Sequence, residues 1–420
     1  MKLRVDKGKI YIHNFCFDEI AEKYGTPFYL YDLSTIRERI HEVKRAFGEY
    51  IELFYAVKAN SNLEILKAIR NDVEGLDISS QGEMEQSFLA GYDAACLSFA
   101  SPGKTRLELQ EAVRHNIGVI SVESLRELRD IKEISLEKNC KANIVLRINP
   151  QSLIKEFAIK MGGKATQFGI DEEEIKGAIH FVRENDKCFN FLGIHVYAGT
   201  QCLNEKAIAA NIVNTLNIAT HLRKRVGFQC HWINLGGGFG VSYYEESHEI
   251  NLSSVAEPVI RAFEHYMAST GTKPRFILEL GRYLVADAGI YVSRVVSEKK
   301  SREESYFVLD GGMNHHLAAS GNLGAVIRKN YITKNLSQPT ALKKTCNLVG
   351  PLCTPIDILA RNVSIESPKL GHLIGILNSG SYAFTASPLL FLGHNTPAEL
   401  LLADGDIRII RAQKKLTDFN

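Results

Sequence analysis

Eight short apolar runs recur between residues 53 and 278, each followed by a stretch of helical periodicity, and no other feature of the chain constrains its fold as tightly. The runs are Leu53–Val57, Gly75–Ile78, Ala95–Phe99, Gly118–Val122, Asn143–Ile148, Phe191–Val196, Trp232–Leu235 and Phe276–Leu278. Between them the apolar positions switch to the spacing of one helix face. Several helices open on a Ser or Thr followed three residues later by Glu, a pair that can satisfy free N–H groups at a helix start. Ser61-x-x-Glu64, Ser80-x-x-Glu83 and Ser124-x-x-Glu127 have this form, and Thr35-x-x-Glu38 opens an earlier helix with Ile36, Ile40, Val43 and Phe47 on one face. Eight buried strands, each with its helix, predict a (β/α)8 barrel, and the span of about 225 residues is near the ~250 usual for that fold.

Beyond residue 285 the texture changes to short alternating runs, Tyr306–Leu309, Cys346–Val349 and Leu373–Leu377. Asp404-Gly405, between Leu400-Leu401-Leu402 and Ile407–Ile410, is a hairpin signal. At the other end Leu3 and Val5 are expected to face Ile10 and Ile12 across a turn at Gly8. The two ends are therefore read as one β-sandwich or β-barrel domain. The expected division is 1–25 as an N-terminal segment joining the β domain, 26–284 as the barrel and 285–420 as the C-terminal β domain, with 313–342 as a long loop.

Composition narrows the function classes. Fifty Lys and Arg against 48 Asp and Glu leave a net charge of +2, which argues against a dedicated nucleic-acid or membrane surface. No apolar run approaches the ~18 residues of a spanning helix, and Met1–Asp6 lacks the apolar region of a signal peptide, so a cytoplasmic protein is expected. The eight cysteines are scattered singly, without metal-ligand spacing, and read as reduced thiols. No metal site is expected.

In a barrel of this kind reacting groups sit where the strands end, at the C-terminal mouth. Polar residues fall there: Lys58 after the first strand, Asp77 near the end of the second, Arg147 on the fifth and His195 on the sixth. Gly236-Gly237-Gly238 follows the seventh, and Glu279 with Arg282 the eighth. Each alone has an ordinary structural explanation. Lys58 can reach out from a strand end, Asp77 can cap a helix, Glu83 fits a capping box and a strand histidine can simply pack. Their convergence on one mouth does not. A lysine on a buried strand loses hydration, which favours the neutral, nucleophilic amine. Three glycines let backbone N–H groups approach an anion such as a phosphate, while Gly236–Gly240 lacks the G-x-G-x-x-G spacing of a dinucleotide fingerprint.

These residues carry a resemblance. Phe54-Tyr55-Ala56-Val57-Lys58-Ala59-Asn60 resembles the cofactor-lysine segment of the pyridoxal-phosphate decarboxylases of the alanine-racemase-like fold, the family of diaminopimelate and ornithine decarboxylases. The resemblance implies pyridoxal 5'-phosphate carried on Lys58. Glu279-Leu280-Gly281-Arg282 resembles the family's Glu-Pro-Gly-Arg, which implies Glu279 at the pyridine nitrogen and Gly281 and Arg282 at the phosphate beside the glycine loop. It likewise implies that His195 stacks on the cofactor ring, that Asp77, Glu83 and Arg147 surround it, and that Thr200 approaches the phosphate. The stretch from His195 to Gln201 has two residues more than the family's His-x-Gly-Ser-Gln. Gly350-Pro351-Leu352-Cys353-Thr354-Pro355-Ile356-Asp357 and Asn378-Ser379-Gly380-Ser381-Tyr382 resemble the family's cysteine and Gly-Ala-Tyr motifs. These imply a homodimer with shared active sites, in which Cys353 protonates the carbanion in the partner's site, Tyr382 binds the phosphate, and Cys353, Thr354, Asp357 and Tyr382 line the substrate. A carboxylate at the ring nitrogen makes the ring a full electron sink, as loss of CO₂ requires. Amino acid racemases of the fold place an arginine there. A non-catalytic pyridoxal-phosphate protein is disfavoured because the lysine, the phosphate grips and the C-terminal domain are all kept.

Departures from the family bear on the substrate. Thr354 stands where diaminopimelate decarboxylases have a Glu for a distal ammonium, and Gly312-Met313-Asn314-His315-His316-Leu317-Ala318-Ala319 lacks their Arg for a distal carboxylate. Gly393-His394-Asn395-Thr396-Pro397 replaces a near-terminal Arg-Pro. A site without these counter-charges disfavours a free zwitterionic tail, because unpaired desolvated charge costs several kcal/mol. The Cys-Thr-Pro variant is similar to a subgroup in specialised metabolism. It includes a butirosin-pathway decarboxylase of a glutamyl group held on an acyl carrier protein, and siderophore-pathway decarboxylases of citryl-diaminopropionate. The resemblance implies a carrier-tethered glutamyl-type substrate, with an acyl carrier protein as partner. Free diaminopimelate, ornithine or lysine, and citryl-diaminopropionate, are the alternatives.

Overall fold

All eight apolar runs contribute strands to one closed parallel ring. In the computed structural model, which describes residues 1–151, 159–160, 163–321 and 329–419, the strands are Glu52–Ala56, Gly75–Ile78, Leu97–Ala100, Val119–Val122, Ala142–Asn149, Phe189–His195, Trp232–Gly237 and Arg275–Leu280. Each pairs in parallel with the next, and the eighth pairs with the first. The backbone divides into two compact units. The barrel unit comprises Glu38–Val241 and His248–Tyr283, and the β-rich unit Met1–Arg37, Ser242–Ser247 and Leu284–Asn420.

Strand periodicity explains how the ring presents polar groups at one end. Phe54, Val119, Val145, Trp232 and Ile277 form a buried apolar cluster. Two residues further along their strands, on the same face, stand Ser121, Arg147, Asn234 and Glu279. On two alternate strands glycine occupies the level below, with Asp77 two residues after Gly75 and His195 two after Gly193. A Cβ at Gly193 would lie 1.7 Å from the Trp232 carbonyl oxygen, and one at Gly75 2.6 Å from the Phe54 ring. The Phe54 ring takes the space that Gly75 leaves, and Gly193 lets the Trp232 backbone approach its strand.

Helix starts follow the sequence in part. Ser80 and Ser124 cap their helices, each accepting at 3.2 Å from the N–H of Glu83 and Glu127. Two expected caps move to a neighbour. Asn62, not Ser61, accepts from Glu64 N–H at 3.0 Å and opens Leu63–Ala68. The helix Leu33–Phe47 begins before Thr35, because the Asp32 carboxylate takes both the Ser34 N–H at 3.1 Å and the Thr35 hydroxyl at 2.7 Å. In both places an amide or carboxylate acceptor captures the helix start ahead of the hydroxyl.

The β-rich unit is built around one large sheet. Phe28–Asp32 lies within it, antiparallel to Gly289–Ser301 and parallel to Ala398–Ala403. The N-terminal hairpin forms with Leu3 opposite Ile12 and Val5 opposite Ile10, and adds Phe15–Cys16 as a third strand. Ile10 and Ile12 pack into one core with Phe28, Leu30, Ile290 and Leu400. The turn at Asp404-Gly405 joins Ala398–Ala403 to Asp406–Arg411. Within the expected loop 313–342, Thr333–Asn335 is a strand paired with Leu373–Ile376, and residues 322–328 lie outside the described residues. Three residues reading Thr-Lys-Asn give no apolar alternation, so the partner strand defines this one.

Candidate active site

The polar layer of the barrel mouth gathers around two buried carboxylates. Lys58 sits in a single helical turn, Val57–Ala59, just past the first strand. Sequence reading places this lysine just after the first strand and expects burial to strip its hydration. Instead its side chain is 37% exposed, and its ammonium donates to Asp77 Oδ2 at 2.7 Å. Asp77 is fully buried, and its Oδ1 has no hydrogen-bond partner. Burial, then the charge of Glu279, raises the Asp77 carboxyl to about 7 despite the opposing pull of Lys58. Glu83 reaches back from its helix to accept from Ser79 N–H at 2.6 Å, and burial holds its carboxyl up.

Glu279 behaves oppositely. Burial alone would raise it, but the His195 ring, then Lys58 and Asn234, hold it down to about 2. His195 Nε2 lies 3.3 Å from Oε1, and the Asn234 amide donates to Oε2 at 3.0 Å. On the far side of the imidazole, Ser121 Oγ lies 2.7 Å from Nδ1. One carboxylate of the site is thus held ionised while the other takes up a proton near neutrality, the separation expected where two acids in one site serve different roles.

The glycine loop is shaped by its neighbours. Gly236 and Gly238 adopt left-handed φ of 67° and 85°, and Asn234 Oδ1 accepts from Gly236 N–H at 2.9 Å. The segment carrying Thr200 runs against this loop. Cys202 N–H donates to the Gly238 carbonyl at 3.0 Å, Gly240 N–H donates to the Cys202 carbonyl at 2.8 Å, and the Gln201 side chain bonds both backbone groups of Val241. Gly281 packs on the first strand's end, where a Cβ would lie 2.8 Å from that of Ala59, and Arg282 opens the short helix Arg282–Val285. Arg147 pairs with buried Glu123 at 2.8 Å, its guanidinium over the ring of Phe168.

In the β-rich unit Cys353 is exposed. The loop carrying it is clasped by Asp357, whose two carboxylate oxygens accept from Met313 N–H at 2.7 Å and Leu352 N–H at 2.8 Å. Thr354 N–H donates to the Leu352 carbonyl at 2.8 Å within the same turn. Tyr382 adopts a left-handed φ of 50°, beside Ser381, whose Oγ lies 3.0 Å from the Tyr243 hydroxyl. Asn234, Ser121 and Glu123 escaped sequence reading. For Ser121 and Asn234 the signal was present as a polar residue two positions after a buried apolar one on a barrel strand; Glu123 lies just past its strand and gave none. Among the described residues no cluster of His, Cys, Asp or Glu could hold a metal ion, and no helix is long and apolar enough to cross a membrane.

Residues 33–286 match the family described as pyridoxal-dependent decarboxylase, pyridoxal binding domain. The chain is 36% identical over 404 residues to the L-glutamyl-[BtrI acyl-carrier protein] decarboxylase of Niallia circulans, covering 95% of this chain and 94% of that one. It is 30% identical over 410 residues to the diaminopimelate decarboxylase of Campylobacter jejuni, covering 96% and 97%. Among solved structures, a diaminopimelate decarboxylase from M. jannaschii in complex with L-lysine superposes with a TM-score of 0.90 at 25% identity, covering 99% of this chain and 96% of that one. The Helicobacter pylori diaminopimelate decarboxylase complexed with L-lysine gives 0.87 at 29% identity, covering 96% and 98%.

Proposed function

Since the chain belongs to the pyridoxal-dependent decarboxylases, and so removes a carboxylate from an amino acid with pyridoxal phosphate, we propose that its substrate is an amino-acid conjugate whose far end carries no free charge, a glutamyl group tethered to an acyl carrier protein. The observation that carries this reading is Thr354 beside Cys353, with no arginine from Gly312 to Ala319. Nothing in those motifs pairs a distal ammonium or carboxylate. The similarity to a decarboxylase named for a glutamyl carrier protein supports it. Free diaminopimelate, ornithine or lysine would each bring a distal charge needing a partner. Citryl-diaminopropionate is the second conjugate to be compared.

The mouth residues fit the cofactor. Gly236 and Gly238, left-handed and without side chains, let a phosphate come close to the loop backbone, Glu279 is buried and ionised, and Asp77 Oδ1 is buried without a partner. Bound there, pyridoxal phosphate supplies the electron sink for the pair left by departing CO₂. Lys58 would carry the cofactor, after giving its proton to the carboxylate nearest it, that of Asp77. Glu279 would keep a proton on the ring nitrogen, with Asn234 and His195 holding its two oxygens. His195, steadied by Ser121, would stack on the ring. Gly236–Gly238, Gly281, Arg282, Thr200 and Tyr382 would hold the phosphate. Cys353 would return a proton to the carbon that lost CO₂, in the site of a second subunit, so the working unit is a homodimer.

The test is CO₂ release from a matched panel. Free glutamate, diaminopimelate, ornithine and lysine are set against glutamyl-carrier thioester and citryl-diaminopropionate. The conjugates should be turned over efficiently and the free amino acids poorly. Turnover of free diaminopimelate as good as that of the conjugates would overturn the reading.

A further inference from the structure

The segment Gly312–Ala319, which lacks the family's distal arginine, ends in the wall of a cavity of ≈ 540 Å³ whose lining, among the described residues, belongs to the β-rich unit. That volume lies within the ~300–1,000 Å³ of pockets that enclose small organic ligands. Ala319 and Ser320 form one wall. Tyr244 and Tyr331, with ring centroids 6.1 Å apart and planes nearly perpendicular, form another. The remaining wall is the strand Ile358–Glu366, which ends the large sheet, with no further strand hydrogen-bonded to its outer edge among the described residues. Side chains cover that edge at two points. Asn330 exchanges both hydrogen bonds with the backbone of Arg361, at 2.7 and 2.9 Å, and Asn335 donates to the Glu366 carbonyl at 3.2 Å. Between them Asn362, Val363 and Ser364 line the cavity, the Asn362 N–H being taken by the Asn347 side chain at 2.9 Å.

Two further features bear on what would fit. Among the described residues the charged groups of the lining are equal in number, Lys329 and Arg361 against Glu245 and Glu246, and so do not select one sign of ligand charge. Thr333, also in the wall, is 9% exposed, and its hydroxyl has no hydrogen-bond partner. The cavity also adjoins a loop of the candidate site. Tyr244 follows Tyr243, whose hydroxyl lies 3.0 Å from Ser381 Oγ, next to Tyr382.

We propose that this cavity receives an extended, uncharged, amide-bearing part of the substrate, of the kind a pantetheine arm provides, with its amides laid along the sheet edge beside Val363 and Ser364. An open sheet edge pairs with any chain that offers amide N–H and C=O groups in sequence. A pantetheine arm carries two such amides joined by methylenes, which the tyrosine rings can cover, and it needs no counter-charge. The inference rests on the carrier-tethered reading above and assigns the arm a place within it.

Ser364, exposed on the edge strand, is the position at which to block the cavity, by Ser364→Trp, with Ser364→Ala as the control. Saturation-transfer NMR on the holoenzyme should show transfer to free pantetheine, lost in Ser364→Trp and kept in Ser364→Ala. KM for glutamyl-carrier thioester should rise about tenfold or more in Ser364→Trp with kcat little changed, as for loss of uniform binding. The short glutamyl N-acetylcysteamine thioester, which lacks most of the arm, should be turned over equally by both variants, and that equality also reports intact folding. No transfer to pantetheine in the wild type, or an unchanged KM for the carrier substrate in Ser364→Trp, would overturn the assignment. Wild-type enzyme that fails to turn over the glutamyl carrier would instead overturn the tethered reading, while the pantetheine signal tests the cavity assignment separately.

Discussion

Replacing Lys58 by methionine in the cofactor-free protein should produce a loss of stability that grows with pH. The substitution deletes the ammonium 2.7 Å from Asp77, whose side chain is fully buried. Breaking a buried ion pair by removing one partner costs about 3–5 kcal/mol. The Lys58 side chain is 37% exposed, so solvent already screens part of the attraction, and about 1–3 kcal/mol is the expected size here. The sign follows from Asp77, raised from 3.8 to about 7 by burial and by Glu279 against the pull of Lys58. A carboxyl raised on folding binds its proton in the folded state, so its contribution to stability is present at low pH and is lost as pH climbs through that window. Lys58 lowers both Asp77 and Glu279, and removing it extends the window beyond about 7. The deficit of Lys58→Met should therefore be smaller near about pH 5, where Asp77 is protonated and only the attraction to Glu279 is lost, than near about pH 8. Urea unfolding at the two pH values measures it, and Asp77→Asn on top of Lys58→Met should restore most of the loss at the higher pH. Equal deficits at both pH values, or a double variant no more stable than Lys58→Met at the higher one, would refute the claim that this pair is electrostatically coupled.

Two further outcomes are expected. Borohydride reduction of the loaded enzyme should fix the cofactor covalently on the peptide containing Lys58, and label on any other lysine would remove Lys58 from the role given to it. Mixing inactive Lys58→Ala and inactive Cys353→Ala subunits should restore about a quarter of the activity per random pairing, because each hybrid dimer holds one intact shared site; no recovery after verified subunit exchange would show that the sites are not shared.

The barrel was legible because its strands are buried on both faces. They read as unbroken apolar runs, with helices of different periodicity between them. Lys58, His195 and Glu279 stood out for the same reason, as single polar residues in apolar runs. Asn234 and Ser121 did not, since an asparagine or serine in a strand looks alike whether it faces the ring interior or a helix. What gives them meaning is closure of the ring, which brings Ser121 to His195 across 74 residues of sequence and Asn234 to Glu279 across 45. Helix caps failed on a shorter scale. Ser61 and Asn62 are adjacent residues that both favour helix starts, and the Asn62 amide oxygen, not the Ser61 hydroxyl, meets the Glu64 N–H. The strand Thr333–Asn335 failed for want of apolar pattern, because it takes its register from Leu373–Ile376.

The opposite behaviour of Asp77 and Glu279 shows how the site separates chemistry that side-chain type leaves equal. Both are fully buried acids, and burial pushes both upward. Glu279 escapes because each of its oxygens has its own neighbour, Asn234 at 3.0 Å and His195 at 3.3 Å, supplied by strands on the same side of the ring. Asp77 has one oxygen on Lys58 and one with no hydrogen-bond partner, and it feels the ionised Glu279 as a like charge. An ionised carboxylate is what keeps a proton on a ring nitrogen, whereas a carboxyl that titrates near neutrality can give and take one at an amine. Exchanging the two environments would leave the residue types unchanged and remove both capacities. That dependence is why Asn234 and Ser121, which touch neither Lys58 nor Cys353 in the contacts above, belong in any account of how this mouth acts.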